Sequence, residues 1–259
     1  IASLMMYARP ELAPAHDRLW SLIKAELMKR GIDAPDALSQ NTNEFAVWTD
    51  PDLVLSQTCG MPYRLWFHDR VTLVGTPDYG LEGCPPGYYR SAIVVRADDA
   101  RTDLAQFSED VFAYYQVYSQ SGFAAPYRHL KAKGIWFEHL LHTGAHIASA
   151  KAVAAGRAGL AALDAVSWRL MQRYDGFASQ LRVLDWTEPT PGLPLISRSG
   201  ADAAAIYDAF SAALDELSAK DRDALGLRRL VALAESDYLA VPTPPESIAD
   251  FSAMPKGAN

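Results

Sequence analysis

Apolar residues along this chain switch between two spacings, and the switches mark its elements. Ala2 to Ala8 is a short apolar run closing on Ala8-Arg9-Pro10, which predicts a buried strand. Leu19, Ile23 and Leu27 then recur at helical spacing and predict a helix over 16–30 with Gly31 as its stop. Short apolar runs predict strands at 52–55, 71–74 and 91–96. The first ends in the polar turn Ser56-Gln57-Thr58, and Gly75 and Pro77 bound the second. The middle of the chain repeats this alternation. A β-prone aromatic run at 113–118 leads through Ser119-Gln120-Ser121-Gly122 into a helix over 123–132. Residues 136–141 precede the turn Thr143-Gly144-Ala145-His146 and a helix over 147–155 stopped by Gly156. A strand at 160–163 ends at Asp164 before a helix over 166–174, and extended segments follow at 181–186 and 193–197. The remainder reads as helices over 202–220 and 227–234, then a Pro-rich polar end, 242–259, expected to lie over the surface.

Strands alternating with helices predict a parallel or mixed sheet covered by helices on both faces. Two such series are present, with extended segments near 91–97 and 190–197 between them. The expected architecture is therefore α/β, with two lobes joined by two crossing strands. One lobe is discontinuous (1–93 and 194–259) and the other is 94–193. A chain of 259 residues, 49% of them hydrophobic, can bury a core of that size. The net charge of -7 leaves no basic stripe to neutralise a nucleic-acid backbone, so nucleic acid is not an expected partner. A single small anion remains compatible, because local N–H groups and not the net charge hold it. No apolar run is long enough to cross a bilayer, so no membrane insertion is expected. The sequence opens at Ile1 with no visible signal peptide, which reads as a processed or trimmed product. Cys59 and Cys84 each sit in a Gly- or Pro-containing turn. They are a candidate disulfide, which requires an oxidising compartment; the alternative is two thiols.

Ligands of open α/β sheets bind at the carboxyl ends of strands. The turns at 56–58, at 119–122 and from 164 fall there. Hydroxyls and a glycine opening a helix suit an oxyanion, since unpaired N–H groups and the positive dipole end point at it. Ser119, Ser121 and Gly122 meet that demand, and plain capping by serine is the competing reading. His146 opens the next helix, where it either donates to an anion or caps. Asp164 can cap the helix that follows, accept a ligand proton, or do both. Tyr7, closing the first strand, either faces the ligand or packs. The chain has no Gly-x-Ser-x-Gly elbow, no phosphate-binding Gly-x4-Gly-Lys loop and no His-Glu-x-x-His. His139 and His142 are spaced like neighbours on one helix face, but Gly144 interrupts that helix before His146. No catalytic residue, cofactor or metal is therefore expected.

Three segments, in order, carry a family resemblance. TGAHIASAKAVAAGRAGLAALDAVSW (143–168) has a Gly-x-His turn, a helix ending Ala-x-Gly-x-Ala and a strand ending in an acidic residue. SQSGF (119–123) resembles a Ser-x-Ser-Gly phosphonate-holding turn. DLVLSQTCGMPY (52–63) precedes GYYRSAIVVR (87–96). Together these resemble the periplasmic substrate-binding proteins of phosphate, phosphite and phosphonate ABC transporters. The resemblance implies the type II periplasmic binding protein fold, with a ligand cleft between lobes that close in a Venus-flytrap motion. It implies a periplasmic location and two partners, a small oxyanion and a transporter permease. Ser119, Gln120, Ser121, Gly122 and His146 would hold the head group, with Asp164 beside them and Tyr7, Gln57 and Thr58 contributing from the first lobe. Aminoalkylphosphonate binders of this family have acidic residues where this chain has Val166 and Leu193. A buried ammonium needs a carboxylate partner, so the resemblance argues against aminoethylphosphonate. The alternative function is an enzyme or binder of the same fold acting on a small organic metabolite such as a cofactor or vitamin precursor. His146 and Asp164 would then serve as acid–base groups, and Tyr114, Tyr115, Tyr118 and Trp168 would supply an aromatic lining.

Overall fold

The computed structural model describes residues 1–254 and divides into two compact units. The first comprises Ile1–Glu82, Pro191–Val241 and the residues from Ser252; the second comprises Gly83–Thr190 and Pro242–Phe251. From the N terminus the first unit contributes β1 (Ala2–Ser3), α1 (Ala13–Lys29), α2 (Glu44–Trp48), β2 (Leu55–Gln57), α3 (Gly60–Pro62) and β3 (Val71–Asp78). The second unit then runs through β4 (Tyr88–Tyr89), β5 (Ser91–Arg96), β6 (Phe112–Tyr114), α4 (Ala125–Ala132), β7 (Leu140–His142), α5 (His146–Ala154), β8 (Leu160–Asp164), α6 (Ala165–Tyr174) and β9 (Leu181–Trp186). The chain passes β10 (Thr190–Pro191) and returns with β11 (Leu195–Arg198), α7 (Ala203–Glu216), α8 (Ala219–Leu225), β12 (Arg229–Val231) and α9 (Glu235–Leu239). Compared with the sequence expectation, the first passage between units falls at 82/83 and not at 93/94. The reason is that β5 is wholly committed to the second sheet, bonded to a strand on either side.

The first unit is built on a mixed sheet in the order β1-β2-β11-β3-β12. β1 and β2 are parallel, and the other neighbours are antiparallel. Against it α1 packs beside α7, burying Leu19, Trp20, Ile23 and Leu27 with Ile206, Phe210 and Ala213. Arg18 binds Asp221 of α8 through two hydrogen bonds of 2.8 and 2.6 Å. Three sequence expectations need correction here. The first strand stops at Ser3, where pairing with β2 ends, and a 3-10 turn at Met5–Tyr7 follows. β3 runs on through Gly75 and Pro77 to Asp78. A Cβ on Gly75 would lie 3.0 Å from both Leu230 Cγ and Tyr207 Cδ2, so this glycine admits close packing and does not break the strand. The helix expected over 227–234 is instead the strand β12, with Leu230 buried between outward-facing neighbours. Gly226, left-handed at φ 67°, ends α8, and antiparallel pairing with Thr76–Asp78 takes over from local propensity.

The second unit has a five-stranded sheet in the order β7-β6-β8-β5-β9. β6, β7 and β8 are parallel, whereas β5 is antiparallel to both β8 and β9. Successive residues of β5 enter different cores. Ala92 and Val94 pack with α5 and Trp168, while Ile93 and Val95 pack with Phe107, Phe112 and Leu130. Both faces of this sheet are covered, as the unbroken apolar run of β5 requires. β6 is shorter than the run at 113–118 suggested, and His142 lies in strand β7, not on a helix. Part of the C-terminal tail expected at the surface, 242–251, packs with the second unit and buries Phe251; residues 255–259 lie outside the described residues. No helix among the described residues is long and apolar enough to cross a membrane.

Replacing Ile93 by Ala should lower the urea unfolding free energy by about 2–5 kcal/mol, because the fully buried centre of β5 cannot collapse around the void. Met28→Ala, at a position 59% exposed, should change it by less than about 0.5 kcal/mol.

Candidate anion-binding site

In the second unit, chain leaving β6 turns at Ser119 into a helix. Ser119 is extended (φ -81°, ψ 122°), and its Oγ accepts the Gly122 amide at 2.9 Å. Its carbonyl accepts both the Phe123 and Ala124 amides, at 3.1 and 3.0 Å, so the first turn, Gln120–Ala124, has π-helical width before α4 begins. The Ser121 amide precedes the first intrahelical bond and lies at the positive end of the helix. A side chain at Gly122 would be crowded. A Cβ there would come within 3.0 Å of Ser119 Oγ, 3.1 Å of Tyr115 Cβ and 3.2 Å of His146 Cε1.

His146 reaches this turn from the start of α5. The preceding residues are pinned to the end of β6: the Thr143 and Gly144 amides donate to the carbonyls of Tyr114 and Tyr115, at 3.0 and 3.1 Å. Thr143 Oγ1 also donates to the Tyr114 carbonyl at 2.9 Å and lies 2.6 Å from Ser149 Oγ. Held this way, His146 Nε2 sits 3.1 Å from Ser121 Oγ, and the ring packs on Tyr115 at 5.4 Å between centroids. Its Nδ1 is enclosed with no hydrogen-bond partner. Burial pushes the imidazole down to about 4. A weaker backbone interaction with Ala162 opposes this but does not reach hydrogen-bond geometry at Nδ1. The ring is therefore neutral at pH 7.

Asp164 closes β8 beside this turn but serves as the N-cap of α6. Its Oδ1 accepts the Val166 and Ser167 amides at 2.7 and 2.9 Å. Its register partner Ser91 donates through Oγ to the Ser121 carbonyl at 2.8 Å, and the Ser91 amide donates to Thr187 Oγ1 at 2.9 Å. The structure thus brings Ser119, Gln120, Ser121, Gly122 and His146 together, with the capping carboxylate of Asp164 next to them.

Tyr7, Gln57 and Thr58 belong to the first unit. Tyr7 packs edge-on against Tyr79 at 5.1 Å between centroids, and Gln57 Nε2 donates to Tyr79 Oη at 3.3 Å and to the Leu193 carbonyl at 3.2 Å. Gln57 is the last residue of β2 and not part of a turn. Thr58 is buried, with its amide on the Pro194 carbonyl at 3.0 Å and its Oγ1 3.5 Å from the Cys59 carbonyl. Val166 and Leu193 are both buried and supply no carboxylate. Cys59 is buried ahead of α3 in the first unit, and Cys84 lies beyond the 82/83 passage in the second. Sequence reasoning missed Ser91, Thr187 and Tyr79, whose roles depend on strand register and which carry no local motif.

A family model described as the periplasmic substrate-binding protein of phosphonate ABC transporters matches residues 67–238, more than half of the chain. The chain belongs to this family. It is accordingly a transport binding protein and not an enzyme, and the family is periplasmic. The fold is similar to that of PhnD1 from Prochlorococcus marinus, solved with methylphosphonate: 15% identity, 92% of this chain and 93% of that one covered, TM-score 0.66. It is also similar to a binding protein component of an ABC phosphonate transporter from Pseudomonas aeruginosa, at 15% identity, 92% and 82% coverage and TM-score 0.62. A Xanthomonas citri protein solved with chloride is 16% identical over 91% of both chains, with TM-score 0.64. These likenesses establish the two-lobed type II periplasmic binding protein fold. No curated protein matches the chain by sequence.

The lowered pKa of His146 has a stability consequence. Unfolding returns the ring toward its ordinary 6.5, so between about 4 and 6.5 the unfolded chain binds more protons than the native one. Stability should fall as pH drops through that window, and His146→Gln should flatten the dependence in urea titrations. In the native protein, the His146 ring followed by NMR should titrate near 4 and not near 6.5.

Proposed function

We propose that this protein captures a small oxyanion of the phosphonate class outside the cytoplasm, by closing its two lobes over it, and delivers it to the permease of an ABC transporter. One observation carries the reading: the Ser119–Gly122 turn and His146 meet at a helix start where Gly122 leaves room for close approach. In this reading the Ser121 amide and hydroxyl and the His146 ring donate to the anionic oxygens, and Ser119 holds the turn open by taking the Gly122 amide. Gln120 lines the same turn, and Asp164 fixes the neighbouring helix as a cap. Tyr7, Gln57 and Thr58 contribute from the first lobe. The apolar Val166 and Leu193 disfavour a ligand carrying an ammonium group. Binding is coupled to protons: an anion beside His146 favours its imidazolium and raises its pKa from about 4.

Calorimetry of the whole chain against phosphate, phosphite, methylphosphonate and larger phosphonates tests this. At least one should bind, and Ser121→Ala should weaken it on the order of ten- to hundredfold, the loss of a hydrogen bond to a charged group. Silence across the panel, or an unchanged affinity in Ser121→Ala, would sink the oxyanion reading. Repeating the titration at pH 5 in buffers of different ionisation enthalpy should reveal proton uptake on binding, and His146→Gln should abolish it.

A further inference from the structure

The second unit carries a guanidinium that no role above uses. Arg90 immediately precedes β5, and its carbonyl accepts the Ala165 amide at 3.1 Å, one residue beyond the Ser91–Asp164 pair. It therefore stands at the end of the sheet that holds the Ser119–Gly122 turn. Side chains alternate along a strand. Ser91 reaches the Ser121 carbonyl, and Arg90 takes the opposite face, that of Ala92 and its register partner Trp186. Arg90 Cζ lies 4.4 Å from the centre of the Trp186 ring. A Cβ on Gly83 would come within 2.7 Å of Arg90 Nη1, so this glycine leaves the guanidinium its place. Arg90 is half-buried, and among the described residues no carboxylate lies within ion-pair distance of it. The acidic side chains of the neighbouring strands are engaged elsewhere: Asp164 caps α6, and Asp185 meets His129 Nε2 at 2.8 Å.

We propose that Arg90, backed by Trp186, is a subsite for a second anionic group of the ligand, a carboxylate, and selects phosphonates that carry one. The proposal rests on the oxyanion reading above, adds the ligand's other end, and lies wholly within the second unit. Stacking on the indole uses one face of the guanidinium plane and leaves N–H groups at its edge, in the fork that matches a carboxylate. Partial burial of a charge without a counter-ion costs desolvation free energy, which an anionic guest offsets. The head-group turn offers hydroxyls, amides and a neutral imidazole, so a second anion there would find no cation, whereas Arg90 supplies one. An ammonium in the same place would meet a like charge.

The test compares methylphosphonate, phosphonoacetate, 3-phosphonopropionate and the primary carboxamides of the last two by calorimetry on the full chain. Carboxylate and amide have nearly the same shape, so their ratio isolates the second charge from the head group. For at least one spacer length the carboxylate should bind about tenfold more tightly than its amide. In Arg90→Gln that ratio should collapse toward one, and Arg90→Lys, which keeps the charge and loses the fork, should restore part of it. In the unaltered protein the ¹⁵N–¹H resonance of Arg90 Nε should shift with the preferred carboxylate and not with its amide, a readout independent of how the variants fold. Methylphosphonate binding with no carboxylate preference and no Arg90 shift would mean that the guanidinium only braces Trp186, and would overturn the subsite alone. A preference that survives in folded Arg90→Gln would overturn the role of Arg90. If no phosphonate binds, the oxyanion reading fails and the subsite falls with it.

Discussion

A strand buried on both faces must find every backbone partner within its own sheet and every side-chain partner in two separate cores, and β5 is such a strand. Its residues alternate between the α5 face and the face packed on Phe107, Phe112 and Leu130, while β8 and β9 satisfy its edges. The demand does not end with the core. Ser91, the first residue of β5, pairs with Asp164, donates to the Ser121 carbonyl and takes its own support from Thr187. The most constrained strand of the second unit thereby fixes the position of the turn that carries the candidate site.

That turn puts its two serines to different uses. Ser119 uses its side chain on the Gly122 amide, as any capping serine would. The consequence is that Ser121 is left two residues into the helix with its hydroxyl against His146 and its amide ahead of the first intrahelical bond. Asp164 caps the helix that follows, its Oδ1 taking the Val166 and Ser167 amides.

Much of the fold was legible because its signals are local. The apolar run of β5, the helical spacing of Leu19, Ile23 and Leu27, and the serine-glycine and glycine-histidine turns each announce an element within a few residues. What escaped depends on distant partners. Gly75 reads as a strand boundary until Tyr207 and Leu230 are seen packed on it, and Leu230 reads as helical until β3 pairs with it. Likewise Arg90 carries no motif. Only the pairing of β5 with β8 and β9 sets it over Trp186 at the end of the second sheet.

The wide turn at Gln120–Ala124 separates two demands that an ordinary helix would couple. A π-turn holds one residue more than an α-turn, and each residue of an α-helix corresponds to roughly 100° of rotation. The inserted residue therefore sets the angular phase of Ser119 and Ser121 independently of the face that α4 buries through Pro126 and Leu130. A relative with one residue fewer in this stretch could keep the same buried face on α4 and still point its serines elsewhere. Length variation at this turn, more than substitution within it, is the economical route by which a scaffold of this kind could re-aim these serines without disturbing its core.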